Sequence, residues 1–459
     1  MTRFDLAILG GGPGGYSAAI RAAQHGFKVA LIEMAELGGT CLNRGCIPTK
    51  VLTSTVGFLK MFERLGEYGI RVEKPRVDLK ALGSRRRRIV ESIRRGLQAL
   101  LESYDIQILQ GFGRLKTSNL ITVSGKQQAE IEASKVILAS GSSCPDKSRL
   151  YPEVEGVLTT DEALELEEPP SSILIVGGGP SGLEFACIFA ALGCEVTVAE
   201  MLPQILPGED SEISKLLCFS LEGSGVKVVT EARLEGLKSK GGMVEAFFQG
   251  GLTLEAERVL LAIGRRPNTE NMGLEGLGIE LVKGRIKVDE YQATNIQNIY
   301  AVGDVAGGLY AHTAFMEGQV AAENALGGRV KVDRKAVPRC VYTMPEVAGV
   351  GLTEEQALKA GYQPKTGRFP YAYNGRAQTL GETQGLVKLV ADAKTGRILG
   401  VHMVGAEATE LIAEAALAVK LDCTVEDLAS TIHAHPTLAE ALREAALEIL
   451  GKPLHKPSG

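Results

Sequence analysis

Eight cysteines in 459 residues are too few for a disulfide scaffold. Cys144, Cys187, Cys194, Cys218, Cys340 and Cys423 are scattered and mostly in apolar surroundings, the pattern of buried free thiols in a reducing compartment. Excess charge is also scarce. Fifty basic and 55 acidic residues leave a net charge of −5, which argues against nucleic acid or a membrane surface as partner. The one basic run, Arg85-Arg86-Arg87-Arg88, lies in helix-like Val77–Ser103 near Glu91 and reads as a solvated helix face. No uncharged apolar run is long enough to span a bilayer; the longest, Ile173–Val198, is broken by Gly177-Gly178-Gly179-Pro180 and Glu184. Strand-like Asp5–Leu9 begins almost at once, without a leader pattern, so a cytoplasmic enzyme is expected. Only Cys41 and Cys46 cluster as soft ligands, so no metal site is expected.

What the chain does contain is one nucleotide-binding unit, twice. The first runs from strand-like Asp5–Leu9 through Gly10-Gly11-Gly12-Pro13-Gly14-Gly15 to helix-like Tyr16–His25, then strand-like Lys28–Ile32 ending at Glu33. The second runs from Ser172–Val176 through Gly177-Gly178-Gly179-Pro180-Ser181-Gly182 to helix-like Leu183–Leu192, then Glu195–Ala199 ending at Glu200. Gly10, Gly12, Gly15 and Glu33 recur at one constant offset as Gly177, Gly179, Gly182 and Glu200. The first glycine of each set permits a tight turn, the second lets backbone approach a pyrophosphate, and the third lets helix and strand pack closely. The helix N-terminus offers N–H groups to phosphate, and the acid accepts from a ribose diol. Glu200 is followed by Met201-Leu202-Pro203-Gln204, with no arginine to meet a 2′-phosphate, so the second site reads as NAD rather than NADP.

Just beyond the first unit stand Cys41 and Cys46, a dithiol or disulfide beside a dinucleotide site. In a regular helix their Cα atoms would lie roughly 8–9 Å apart, beyond the limit of about 7 Å for a disulfide. Cys41 therefore belongs to an irregular segment or distorted first turn, with Gly45 supplying the freedom. Cys46 then falls near a helix N-terminus, which favours thiolate.

Near the other end lies Thr431-Ile432-His433-Ala434-His435-Pro436-Thr437-Leu438-Ala439-Glu440. Alternation would put both histidines on one face of an extended segment. Glu440 could turn back to His435, fixing its tautomer and raising its basicity. Equally, Thr437 and Glu440 could form a capping box that starts the last helix.

Segment Gly141–Pro169 reads as a connection. Strand-like Glu257–Ile263 leads into Gly264-Arg265-Arg266-Pro267-Asn268, and Asn298–Val302 into Gly303-Asp304, both glycine loops of the kind that bind ligands at a sheet's carboxyl edge. The expected fold is α/β, with two Rossmann-like domains, the second inserted into the first, and a C-terminal α+β interface domain. Residues 1–148 and 271–335 would form the first domain and central part, 149–270 the second domain, and 336–459 the interface domain with an antiparallel sheet. Its signs are alternating Val341–Tyr342, Val347–Val350, Leu386–Val390 and Ile398–Val404, the turn Asp392–Gly396, and helices near Glu407–Leu421 and Leu438–Leu450.

Together, the segments Gly39–Lys50, Gly264–Asn268, Tyr300–Asp304 and His433–Thr437 resemble the FAD-dependent pyridine nucleotide–disulfide oxidoreductases over nearly the whole length. The resemblance is to the members that oxidise dihydrolipoamide. It implies one tightly bound FAD per subunit, its ADP half on the first fingerprint and Glu33, its ribityl chain on Asp304, NAD on the second fingerprint and Glu200, and a cofactor contact at Gly264. It implies Cys41 as the interchange thiol and Cys46 as the thiolate against the flavin ring. Lys50 would stand near flavin N5 with Glu184 as its ion-pair partner. Helix Ala311–Ala325 would aim its N-terminus at flavin O2, and His435, oriented by Glu440, would be the acid–base catalyst for the other subunit's disulfide. Implied partners are a second copy of the chain and the lipoyl and subunit-binding domains of an acyltransferase component. A sister reductase for another disulfide is the alternative; against it stand Glu200 without an arginine and a tail, Leu454–Gly459, without cysteines. Two residues depart from the pattern: Arg44, a candidate to shift the disulfide's potential, and Thr313, where lysine is commoner.

Overall fold

A computed structural model describes residues 2–73, 75–151 and 154–457. Its first sheet is centred on Thr2–Leu9, whose last four residues are all buried. That strand pairs in parallel with Val29–Glu33 on one side and Ala129–Leu138 on the other. A strand buried on both faces needs a near-continuous apolar run, and Leu6-Ala7-Ile8-Leu9 supplies it. On the far edge of Ala129–Leu138, the first half pairs with antiparallel Leu120–Ser124 and the last residues with parallel Ile299–Ala301. A strand near residue 300 thus joins the sheet begun at residue 2.

The second sheet is centred on Ser172–Val176, between parallel Glu195–Ala199 and Arg258–Leu261. Lys227–Val229 and Val157–Thr159 form its edges. Val157–Thr159 lies in the segment expected to be a plain connection; a three-residue strand shows no period. An antiparallel sheet of Leu234–Lys240, Met243–Phe248 and Thr253–Ala256 also belongs to this unit and was not anticipated. Its Val244, Ala246 and Phe248 pack with Leu174 and Val176.

The third sheet is wholly antiparallel, in the order Arg339–Val341, Glu346–Gly351, Ile398–Gly405, Leu386–Asp392, Pro364–Pro370. The last of these has proline at each end and sits on the edge, where a missing N–H is tolerated. Helices Ala408–Lys420 and Glu440–Ile449 share an apolar cluster with this sheet. Among the described residues no helix is long and apolar enough to cross a membrane.

One cluster matters for the site. Val51, Leu52 and Val56 of helix Cys46–Arg64 pack with Phe185, Ile188 and Phe189 of helix Pro180–Ala191, and with Val341 and Leu386 of the third sheet. The helix that begins at Cys46 is thereby wedged against the second nucleotide unit. Two surface expectations need correction. Arg86 is not solvated: it is buried, donates to Leu164 O and pairs with Glu165, because helix Leu79–Ser103 lies against the Thr160–Ala163 region. Of the scattered cysteines only Cys187 and Cys194 are buried; Cys144, Cys218, Cys340 and Cys423 are partly exposed.

Candidate active site

The two glycine turns are superimposable in detail. Gly10 has φ +114° and Gly177 φ +112°. A Cβ on Gly15 would come 1.8 Å from Gly10 O, and one on Gly182 2.0 Å from Gly177 O. At the middle glycines the space is open: a Cβ on Gly12 would meet nothing nearer than 3.8 Å, and one on Gly179 nothing within 4 Å. Helices Pro13–Gln24 and Pro180–Ala191 start there with proline in the first turn and no side-chain cap, leaving their first N–H groups to an anion. The acids repeat too. Glu33 Oε2 accepts from Gly11 N at 2.7 Å and Oε1 from Ala35 N at 2.7 Å; Glu200 Oε2 accepts from Gly178 N at 2.7 Å and Oε1 from Leu202 N at 2.9 Å. Each carboxylate is thus fixed by its own loop, and among the described residues neither pairs with a cation. Gly264, at φ +101°, lies just past strand Arg258–Leu261, after Ala262, whose O closes over Gly177. This geometry fits two dinucleotides.

Between Cys41 and Cys46 the helix breaks. Gly39–Asn43 is one short helix, Cys46 is the first residue of the next, and Gly45 caps it. A Cβ on Gly45 would press to 3.1 Å from Thr40 O. Asn43 pins the break by donating Nδ2 to Leu37 O and Gly39 O, each at 2.9 Å. The neighbouring Cys46 thiol and then burial push Cys41 up, while the neighbouring Cys41 thiol brings Cys46 down to about 7 against burial, helped by Lys50. Cys46 is the thiolate of the pair. Arg44, between them, pairs with Glu36. Tyr16 also faces this pair: burial and the Cys41 thiol raise its phenol to about 12.

One turn into the helix, Lys50 Nζ donates to both Glu184 oxygens at 2.9 Å. Tyr342 completes the group, its ring 4.3 Å under the ammonium and its N–H donating to Glu184 Oε1 at 3.1 Å. Tyr342 was not anticipated, since nothing local in Val341-Tyr342-Thr343 marks it.

Asp304 sits on a tight turn, Gly303–Ala306, and accepts from Ser142 Oγ. Fully buried Glu317 holds that turn, accepting from Gly303 N at 2.8 Å and pairing with Arg334 at 2.6 Å. Helix Ala311–Ala325 begins and ends where expected, again without a side-chain cap. Thr313 Oγ1 in its first turn is buried without a partner.

His435 Nδ1 lies 2.9 Å from Glu440 Oε1, and Thr437 N donates to Glu440 Oε2 at 2.8 Å. The expected capping box is not formed: the last helix starts at Glu440 after Ala439 with no side-chain cap, and Thr437 Oγ1 donates instead to Ala434 O at 2.8 Å, so Glu440 orients His435 and holds only the Thr437 N–H. Against burial, the Thr437 N–H and His435 hold Glu440 below the usual carboxylate range. The two histidines do not share a face. His433 folds back onto Glu414 at 2.9 Å with its side chain 5% exposed, whereas that of His435 is 73% exposed. The reason is Glu414 on helix Ala408–Lys420, a tertiary partner that strand alternation ignores. Within the single chain no hydrogen bond or ion pair joins His435 to Cys41, Cys46 or Lys50.

Two dinucleotide cradles with a dithiol at a helix N-terminus between them define a nucleotide-dependent dithiol oxidoreductase. Residues 4–325 match the family described as pyridine nucleotide-disulphide oxidoreductase, and residues 337–446 match that family's dimerisation domain. A dihydrolipoyl dehydrogenase of Thermus scotoductus is 44% identical over 99% of each chain, and one of Bacillus subtilis 41% identical over 99% of each. The crystal structure of LpdA from Mycobacterium tuberculosis superposes with a TM-score of 0.90 at 31% identity, covering 98% of this chain and 100% of that one. The HOCl-induced flavoprotein disulfide reductase RclA from Escherichia coli superposes at 0.86 with 29% identity, over 96% and 99%. The chain belongs to the pyridine nucleotide-disulphide oxidoreductases, enzymes of FAD and a pyridine nucleotide.

Proposed function

We propose that the protein oxidises protein-bound dihydrolipoamide to lipoamide and reduces NAD to NADH, as a component of a cytoplasmic 2-oxo-acid dehydrogenase complex. The Cys41–Cys46 pair carries this reading: two neighbouring thiols at a helix N-terminus, one biased to thiolate, beside a dinucleotide cradle. The relatives at 44% and 41% identity support the substrate. The division into 1–148 with 271–335, 149–270 and 336–459 suits it, placing each cradle in its own unit and the histidine in the interface unit.

The residues divide the work as follows. Gly10, Gly12, Gly15, Glu33, Asp304 and the Ala311 helix end would hold FAD; Gly177, Gly179, Gly182, Glu200 and Gly264 would hold NAD. His435, fixed through Nδ1 by Glu440, takes a proton from a substrate thiol. That sulfur attacks Cys41 of the disulfide, and Cys46 departs as thiolate, stabilised by the Lys50 ammonium. The second substrate thiol gives up its proton and attacks the substrate sulfur bonded to Cys41, so the lipoyl ring closes, Cys41 departs and takes up that proton, and the enzyme is left with the Cys41 thiol and the Cys46 thiolate. When bound, FAD would supply the two-electron acceptor that returns the dithiol to the Cys41–Cys46 disulfide, the remaining thiol proton going to solvent and the electron pair passing on to NAD. The match of residues 337–446 to the family's dimerisation domain supports a homodimer as the active unit, with His435 acting across the interface. Lipoyl and subunit-binding domains of an acyltransferase component would be the macromolecular partners.

Anaerobic titration of purified enzyme with dihydrolipoamide, then NAD, tests the reading. A long-wavelength thiolate–flavin absorption band should rise at half reduction and vanish on adding NAD, and Cys46→Ser should lack it. Reduction by another disulfide's dithiol but not by dihydrolipoamide would instead mark a sister reductase.

A further inference from the structure

The chain leaves the first nucleotide unit through Ser142–Ser143 and returns through Arg266–Pro267, and these two strands pair antiparallel, Arg266 with Ser143 and Pro267 with Ser142. Asn268 reinforces the junction, donating its N–H to Gly141 O at 3.0 Å and its Nδ2 to Ser140 O at 2.9 Å. Both connections between the nucleotide units therefore run through one narrow ribbon. Arg265 projects from it towards the redox loop. Its Nη2 donates to Thr40 Oγ1 at 3.1 Å and to Ser142 O at 2.8 Å, and its Nε donates to Ser142 Oγ at 2.9 Å. Ser142 Oγ in turn donates to Asp304. Nη1 faces Cys144 Sγ at 3.4 Å and lies 3.9 Å from Asp161.

One guanidinium thus touches the residue before Cys41, both strands of the hinge and, one hydrogen bond on, Asp304. Thr40 is the lever in this arrangement. Its carbonyl accepts from Arg44 N at 2.9 Å and closes the turn that Gly45 must complete, so its position sets where Cys41 points relative to Cys46. A planar fork with five donors can hold that set of acceptors, whereas a lysine ammonium cannot.

We propose that Arg265 is a positioning residue that ties the hinge between the two dinucleotide units to the Cys41–Cys46 pair, so that the setting of the second unit governs how the two sulfurs face each other. The proposal rests on Cys41 and Cys46 being a working dithiol, and not on the identity of the substrate. Loss of Arg265 leaves the Thr40 hydroxyl only its own 3.4 Å hydrogen bond to Ser142 O, loosens the setting of Cys41 against Cys46, and makes the Cys46 thiolate harder to form.

The test uses holoenzyme reduced anaerobically with dithiothreitol. The pH profile of iodoacetamide alkylation is read separately at Cys41 and Cys46 by peptide mass spectrometry, in wild type, Arg265→Gln, Arg265→Lys, Thr40→Val and Thr40→Ser. Arg265→Gln and Thr40→Val should move the Cys46 profile to higher pH by about half a unit or more. Arg265→Lys should fail to restore it, and Thr40→Ser, which keeps the hydroxyl, should leave it in place. An unmoved profile in folded Arg265→Gln or Thr40→Val overturns the proposal and leaves Arg265 a plain structural contact; should Arg265→Gln not fold, Thr40→Val decides. A wild-type enzyme whose Cys46 alkylation does not vary with pH would overturn the dithiol reading itself, a different failure.

Discussion

At Cys46 three influences meet. The neighbouring Cys41 thiol favours ionisation, burial opposes it, and the Lys50 ammonium favours it; the outcome is a thiol near 7. One pH unit below that value about a tenth is thiolate and one unit above about nine tenths, so alkylation of the reduced enzyme should climb steeply through neutrality. Lys50→Met removes the cation and leaves Glu184 facing the sulfur, so the same profile should shift to higher pH; a profile unchanged by Lys50→Met would remove Lys50 from the account. Arg44→Ala, by contrast, should leave the profile alone, because that guanidinium is engaged with Glu36. Cys41, Cys46, Lys50, Glu184, His435 and Glu440 were legible in the sequence, because spacing or the family motif marks each. Tyr342, Ser142 and Glu317 were not. Their partners lie far away along the chain, and a single tyrosine, serine or glutamate carries no local mark of such a contact.

At the scale of the element, glycine spacing made both cradles legible, since the first and third glycines of each answer a steric demand of the fold that no other residue meets. The middle glycines face open space while the first and third are jammed against backbone. Gly182→Ala therefore sets a methyl 2.0 Å from Gly177 O and must pry helix Pro180–Ala191 off its strand. NADH affinity, read by fluorescence titration, should fall at least about tenfold, roughly 1.4 kcal/mol, while flavin content stays that of wild type, because the first cradle is a separate turn. Equal loss of flavin would show that the two cradles are not independent. Val157–Thr159 and the Leu234–Ala256 sheet escaped the sequence for the opposite reason. Short edge strands are recruited by a neighbour already in place, and nothing in three or four residues announces the pairing.

The whole molecule is joined across its units by charge as well as apolar packing. Lys388, 3% exposed on the third sheet, reaches Asp210 at 2.9 Å, Glu354 at 3.1 Å and Glu212 at 3.3 Å. Asp210 caps helix Ser211–Gly223 of the second nucleotide unit, so the contact clamps that unit to the interface sheet. Arg368 shares Glu212 and Glu354, at 2.9 Å and 3.6 Å, and buried His402 stands nearby with Nε2 on Leu352 O. Such a cluster was invisible in the sequence, where Lys388 reads only as a polar residue in an alternating strand. Removing one partner strands the others: Lys388→Met should cost about 3–5 kcal/mol, because Asp210 would be left buried without its cation. Replacing both, as Lys388→Met with Asp210→Asn, should recover part of that loss. The pH dependence follows from the sign of the Asp210 shift. Burial would raise its carboxyl, but Lys388 outweighs burial and holds it below the usual range. The stability this contributes is present above the ordinary carboxylate range and is lost as pH falls through the lowered folded value. Thermal unfolding followed against pH should therefore show wild type losing its advantage over Lys388→Met only in acid; an advantage that persists unchanged into strong acid would mean that the clamp is not ionic.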